Sequence, residues 1–183
     1  MKNNTCILTI GYGNRSIDQL IELLLRYNVH YLIDLRTSPY SKFKIEFNRE
    51  AFEKKLKESN IKYVFMGDTI GGLPSDRSCY TDDQVDYDKV KEKEFYKEGI
   101  SRLISAYNGG HSVAIMCSEG KPEMCHRSKL VAVTLEESGV PVMHIDECGE
   151  LATQEAIIRK IVGDQLDLFN SNPTEGLKSK GKY

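Results

Sequence analysis

No apolar stretch in the 183 residues approaches the ~18 consecutive positions that a membrane-crossing helix needs, so no membrane association is expected. The cysteines are five, an odd number, scattered at 6, 79, 117, 125 and 148. That is not the pattern of a disulfide framework. Met1 to Thr5 are polar and run at once into strand-like sequence, so no secretory leader is expected. The expectation is a cytoplasmic protein with reduced thiols. An excess of one charge is missing too. The formal balance is −2, which argues against holding nucleic acid by bulk electrostatics alone. No internal repeat is present. What remains, 40% hydrophobic and 28% charged, is the profile of one soluble globular domain with a short tail. A chain of this length buries roughly 70% of the surface its unfolded form exposes, enough for a real core.

Strand and helix patterns alternate. Thr5 to Ile10 (TCILTI) predicts a strand closed by Gly11-Tyr12-Gly13. Ser16 is placed to cap a helix, with Gln19 completing a capping box and Ile17, Leu20, Ile21, Leu24 and Tyr27 as the apolar stripe. His30 to Leu35 predicts a second strand. Asn48 is placed to cap a helix carrying Phe52 and Leu56, and Ile61 to Phe65 predicts a third strand. Residues 67–92 are polar, hold Gly71-Gly72 and Pro74, and predict no regular element; loops this long are usually functional or disordered. A helix with Tyr96, Ile100, Leu103, Ile104 and Tyr107 on one face stops at Gly109-Gly110. His111 to Met116 and Pro141 to Ile145 predict two more strands, with a helix from about Cys125 to Ser138 between them. Thr153 caps a last helix that Gly163 ends. Residues 170–183 predict a disordered tail. The expected organisation is a domain over 1–163 and a tail over 164–183. The expected fold is α/β, one three-layer domain with a mostly parallel sheet of about five strands.

In such sheets the ligand site lies beyond the carboxyl ends of the strands. Tyr12, Asn14 and Arg15 follow the first strand, and Asp34 and Arg36 end the second. Cys117 and Glu119 follow the fourth, and Cys125, His126 and Arg127 open the next helix. A thiol facing a helix N-terminus beside Lys121, His126 and Arg127 is expected to favour its thiolate. Cys117 is then a nucleophile or a ligand, and Glu119 a general acid or base. The bland alternative is a buried cysteine with structural ion pairs around it. Tyr12, Asn14, Arg15, Asp34, Arg36, Cys125, His126 and Arg127 are expected to line the pocket and bind an anionic substrate. A metal is the third reading, with Cys117, Cys125, His126 and His144 as candidate ligands, although the eight-residue step between the cysteines is not a zinc knuckle. No cofactor can be assigned. Tyr40, Lys42, Phe43, Lys44, Phe47 and Arg49 interleave aromatic and basic residues, a pattern suited to stacking bases and holding phosphates. Residues 36–58 hold seven basic residues against four acidic. Residues 82–98 hold four against seven, so charge is polarised although its sum is small.

These motifs together resemble a known family. Gly11-Tyr12-Gly13-Asn14-Arg15-Ser16, Asp34-Leu35-Arg36, Phe47-Asn48, Gly71-Gly72, Cys117 with Glu119, Cys125-His126-Arg127 and His144-Ile145 resemble the domain-of-unknown-function 488 family, over about residues 5–169. The resemblance implies an α/β domain with a strand-end site and no known activity. There is a looser similarity to rhodanese-like domains, in a strand ending Asp-Leu-Arg and a later strand–Cys–loop–helix unit. The loop here is longer than theirs.

Gln165-Leu166-Asp167-Leu168-Phe169 looks like the peptide by which bacterial proteins dock on the DNA polymerase sliding clamp. Leu166, Leu168 and Phe169 offer apolar anchors and Gln165 an amide for hydrogen bonding. The alternative is that these side chains pack back on the domain. The sequence therefore predicts a cysteine-containing enzyme acting on DNA or a nucleotide, with the clamp as partner. The alternatives are an anion-binding adaptor without chemistry and a metal-dependent enzyme.

Overall fold

A computed structural model describes residues 6–163 and 177–183. The elements are β1 (Ile7–Gly11), α1 (Ile17–Arg26), β2 (Tyr31–Asp34), α2 (Arg49–Glu58), β3 (Lys62–Phe65), β4 (Tyr80–Thr81), β5 (Gln84–Val85), α3 (Tyr87–Lys91), α4 (Glu94–Asn108), β6 (Val113–Cys117), α5 (Val133–Glu137), β7 (Val142–Ile145), β8 (Leu151–Thr153) and α6 (Gln154–Val162). The main sheet has the order β3-β2-β6-β1-β7-β8. The first five strands in that order are parallel, and β8 pairs antiparallel to β7 at one edge. No helix among the described residues is long and apolar enough to cross a membrane.

Successive strand residues point to opposite faces, so each strand feeds two cores. On one face Leu8, Ile10, Leu32 and Met116 meet Leu20 and Leu24 of α1 and Phe52 and Leu56 of α2. On the other, Ile7, Ile33, Val113 and Ile115 meet Tyr96, Ile100 and Leu103 of α4 and the stretch from Leu130 to Leu135. Helices cover both faces, which is why the inner strands are apolar on both sides. α1 starts where expected: the Ser16 side chain accepts from the Gln19 amide, and the Gln19 side chain returns the bond.

Several expectations need correction. β8 was not foreseen, because it is three residues long, lies at the edge and has no alternating pattern to betray it. Residues 67–92 are not structureless: a 3-10 turn (Arg77–Cys79), the β4–β5 hairpin and α3 occupy them. Asp82 and Asp83 form the hairpin tip with φ of 51° and 64°, the left-handed pair that such a turn requires. The helix expected from Cys125 begins as a π-helix over Arg127–Ala132 and becomes α-helical only from Val133. Asn48 precedes α2 without capping it; its Oδ1 accepts from the Ser41 amide at 2.7 Å instead. Residues 177–183 of the expected tail are ordered against the domain. Ser179 is buried, its amide donates to the Val85 carbonyl, and its hydroxyl accepts from the Val85 amide, both at 2.9 Å. Backbone pairing of this kind leaves no apolar signature in the sequence. The peptide at Gln165, Leu166, Leu168 and Phe169 lies outside the described residues.

Candidate functional site

Cys117 ends β6, which lies between β1 and β2 at the centre of the sheet. The loop that follows stays attached to the end of β1, because the Tyr12 and Gly13 amides donate to the Cys117 and Ser118 carbonyls at 3.2 and 2.9 Å. Gly11 makes this approach possible: a Cβ there would lie 1.7 Å from the Glu119 carbonyl oxygen. A 3-10 turn (Pro122–Met124) then brings Cys125 and His126 back under Cys117. The Ser128 hydroxyl, from below, donates to the Pro122 carbonyl at 2.5 Å.

The result is a buried cluster. The Cys117 thiol donates to Glu119 Oε2 at 2.6 Å. His126 Nδ1 lies 3.6 Å from Cys125 Sγ and 3.9 Å from Cys117 Sγ. The Arg127 amide points at Cys125 Sγ from 3.4 Å. His126 Nε2 is buried without a hydrogen-bond partner. Gly72 closes the cluster from above, since a Cβ there would meet His126 Nδ1 at 2.7 Å.

The charge is distributed differently from expectation. The hydrogen bond with Cys125 and burial push the Cys117 thiol well up. Burial also resists ionisation of Cys125, but the bond from Cys117 and the Arg127 charge outweigh it and bring that thiol down. Burial raises Glu119, yet the Cys117 hydrogen bond and backbone donors leave it below the usual carboxylate value. The thiolate expected at Cys117 is favoured at Cys125 instead.

Above the cluster is a cleft of about 550 Å³ whose walls include Tyr12, Arg36, Tyr40, Lys180 and Tyr183. Tyr12 stacks on Phe47 with ring centroids 4.3 Å apart. Lys180 and Tyr183 went unrecognised in the sequence because they belong to the segment read as a disordered tail.

The other expected pocket residues divide. Asp34 and Arg36 form a buried ion pair, with Nη2 to Oδ2 at 2.6 Å and Nε to Oδ1 at 2.9 Å. Tyr63 donates to the same carboxylate at 2.7 Å, and Arg36 to the Phe47 carbonyl at 2.9 Å. Arg36 thus reaches the cleft wall with its guanidinium already engaged, and Asp34 faces the core. Arg127 is fully buried and donates to the Glu119 and Gly120 carbonyls, so it shapes the loop, while its Nε is buried without a partner. Asn14 and Arg15 line a separate cavity of about 710 Å³ with Lys121 and Glu147. Arg15 donates to the Gly11 and Asp146 carbonyls. His144 does not join the group formed by Cys117, Cys125 and His126: Thr9 Oγ1 at 2.8 Å and Gln154 Oε1 at 2.6 Å take its two nitrogens. Burial lowers its pKa to about 4.

Among known proteins, no curated relative and no solved structure matches the chain, and the rhodanese-like similarity gains no support. A family model does match, over residues 16–134. That span is narrower than the 5–169 over which the motifs run, but it includes the whole segment from Cys117 to Arg127. The chain belongs to the family described as domain of unknown function DUF488.

Proposed function

We propose that this protein is an enzyme acting on a nucleotide, free or within DNA, in the cleft floored by Cys117, Glu119, Cys125 and His126. One observation carries the reading. The loop of residues 38–44 walls that cleft with Ser38, Tyr40 and Ser41 and carries Phe43, 96% exposed, next to Lys42 in the chain, while Lys44 turns back to donate to the Arg15 carbonyl at 2.8 Å. An exposed ring with a lysine beside it in the chain suits a base and a flanking phosphate, with stacking worth about 1–3 kcal/mol per base. Lys180 adds a positive charge on the cleft wall. At the floor, Glu119 already accepts a proton-bearing bond from Cys117 and is placed to take or return a proton during reaction.

The peptide at 165–169 supports recruitment to the sliding clamp. Tethering raises the local DNA concentration without new contacts, which suits a chain of net charge −2. Three measurements test the reading. Fluorescence anisotropy with short labelled DNA and a nucleotide panel should show binding that Phe43→Ala weakens about tenfold. Mass spectrometry should show conversion of a bound species that Glu119→Gln abolishes; binding without conversion would make the protein an adaptor. Titration with purified clamp should show binding that Leu168→Ala/Phe169→Ala removes, and equal or absent binding would remove the clamp from the proposal.

A further inference from the structure

The cluster at the cleft floor gathers three donors of the kind that ligate metal ions. Cys117 Sγ, Cys125 Sγ and a ring nitrogen of His126 all lie within 4.8 Å of one another. His126 Nδ1 is 3.6 and 3.9 Å from the two sulfurs. A tetrahedral zinc ion, with bonds of about 2.3 Å to sulfur and about 2.0 Å to nitrogen, requires sulfur–nitrogen separations of about 3.6 Å. The two sulfur–nitrogen distances therefore need only tenths of an ångström of adjustment. Thiolate and imidazole are also the donor types that select zinc over magnesium or calcium.

The surroundings favour a held site over an accidental one. The two ligands at 125 and 126 follow a proline-initiated 3-10 turn and precede a π-helix, an irregularity found mostly at functional positions. Ser128 and Arg127 tie the loop between the ligands to the helix below it. His126 Nδ1 is turned to the two sulfurs, while its Nε2 is buried without a hydrogen-bond partner.

We propose that Cys117, Cys125 and His126 bind one zinc ion, with its fourth position open to the cleft and Glu119 beside it as the proton acceptor. This rests on reading the cleft as a reaction centre and names what that centre contains. Three protein ligands and one open position are the arrangement of catalytic zinc, whereas structural sites use four. The step supported there is activation of water. Zinc held by Cys117, Cys125 and His126 would lower the pKa of a water at the open position, and the Glu119 carboxylate would accept the proton that water gives up. No oxidant or reductant is involved.

The full chain, purified under reducing conditions without chelator, should contain about one zinc per molecule by elemental analysis. Cobalt(II) added to the apoprotein should give the intense visible bands of a tetrahedral ion and a thiolate charge-transfer band in the near ultraviolet. Cys117→Ser and Cys125→Ser should each weaken zinc binding on the order of a hundredfold or more, while the exposed Cys148→Ser should leave it unchanged. Glu119→Gln should keep the metal, because it is not a ligand. A wild-type protein without stoichiometric zinc and without the thiolate band overturns the inference even if the cysteine variants fail to fold. Loss of metal in Glu119→Gln overturns the open position. Nucleotide binding without zinc would sink this inference alone, and zinc without nucleotide binding would sink the substrate assignment alone.

Discussion

Arg127 holds Glu119 from beneath: its Nη1 donates to the Glu119 backbone carbonyl at 2.5 Å while Nη2 reaches Gly120 at 3.0 Å. The guanidinium is fully buried and never meets the cleft. It holds the loop whose Glu119 carboxylate contacts Cys117, so the cleft floor is shaped by a residue outside the cleft lining.

Arg127→Met should therefore cost about 3 kcal/mol, the order expected for stranding two buried carbonyls that a charged donor had satisfied. Arg127→Lys should recover part of this, because an ammonium lacks the planar fork that serves both carbonyls. Urea unfolding of the two variants checks the order. Equal stability of Arg127→Met and wild type would show that the loop holds without its anchor.

Gly11→Ala should be far more damaging than a usual glycine substitution. Its Cβ would sit 1.7 Å from the Glu119 carbonyl oxygen, a backbone atom that cannot swing aside. A loss of about 3 kcal/mol or failure to fold is expected. Gly110→Ala, which meets nothing within 4 Å but has φ of +72°, should lose only about 1 kcal/mol. Thermal melts of the pair separate the two causes.

Asp34→Asn should destabilise by about 3–5 kcal/mol, because it leaves the Arg36 charge buried without its partner. Tyr63→Phe removes only one hydrogen bond to the same carboxylate and should cost about 1–2 kcal/mol. If both lie within error of wild type in urea unfolding, the ion pair does not anchor the Phe47 side of the cleft.

Acid should weaken the fold through His144. Its pKa is about 4 in the folded protein against an ordinary 6.5, because burial disfavours the imidazolium. Above pH 6.5 both states leave it neutral and its contribution is complete. As pH falls from 6.5 to 4 the unfolded chain takes up the proton first, and stability drops by about 3 kcal/mol in all. The urea midpoint of wild type should fall more steeply over this window than that of His144→Gln. Parallel profiles would mean that His144 is not held neutral.

Much of the architecture was legible from local pattern. The capping box at Ser16–Gln19 and the stripe through Leu20 and Leu24 mark α1 directly, because capping and helical periodicity are properties of neighbouring residues. The placement of Cys117 and Glu119 at a strand end was legible for the same reason. What each expected pocket residue does was not. Asp34, Arg36 and Arg127 read as anion binders by residue type, and packing gives each of them protein partners that no local pattern announces. His144, a candidate ligand in the sequence, is held by Thr9 and Gln154, 135 and 10 residues away.

The sequence by itself determined an α/β chain with Cys117 and Glu119 at a strand end, since apolar periodicity, caps and glycine stops act over a few residues. Only the tertiary structure decided which of those residues meet. It joined Cys117 to Cys125 and His126, split Asn14 and Arg15 into a second cavity, and laid Lys180 and Tyr183 against the first. Such pairings depend on strand order and backbone hydrogen bonds between distant segments, and neither leaves a periodic trace in the chain.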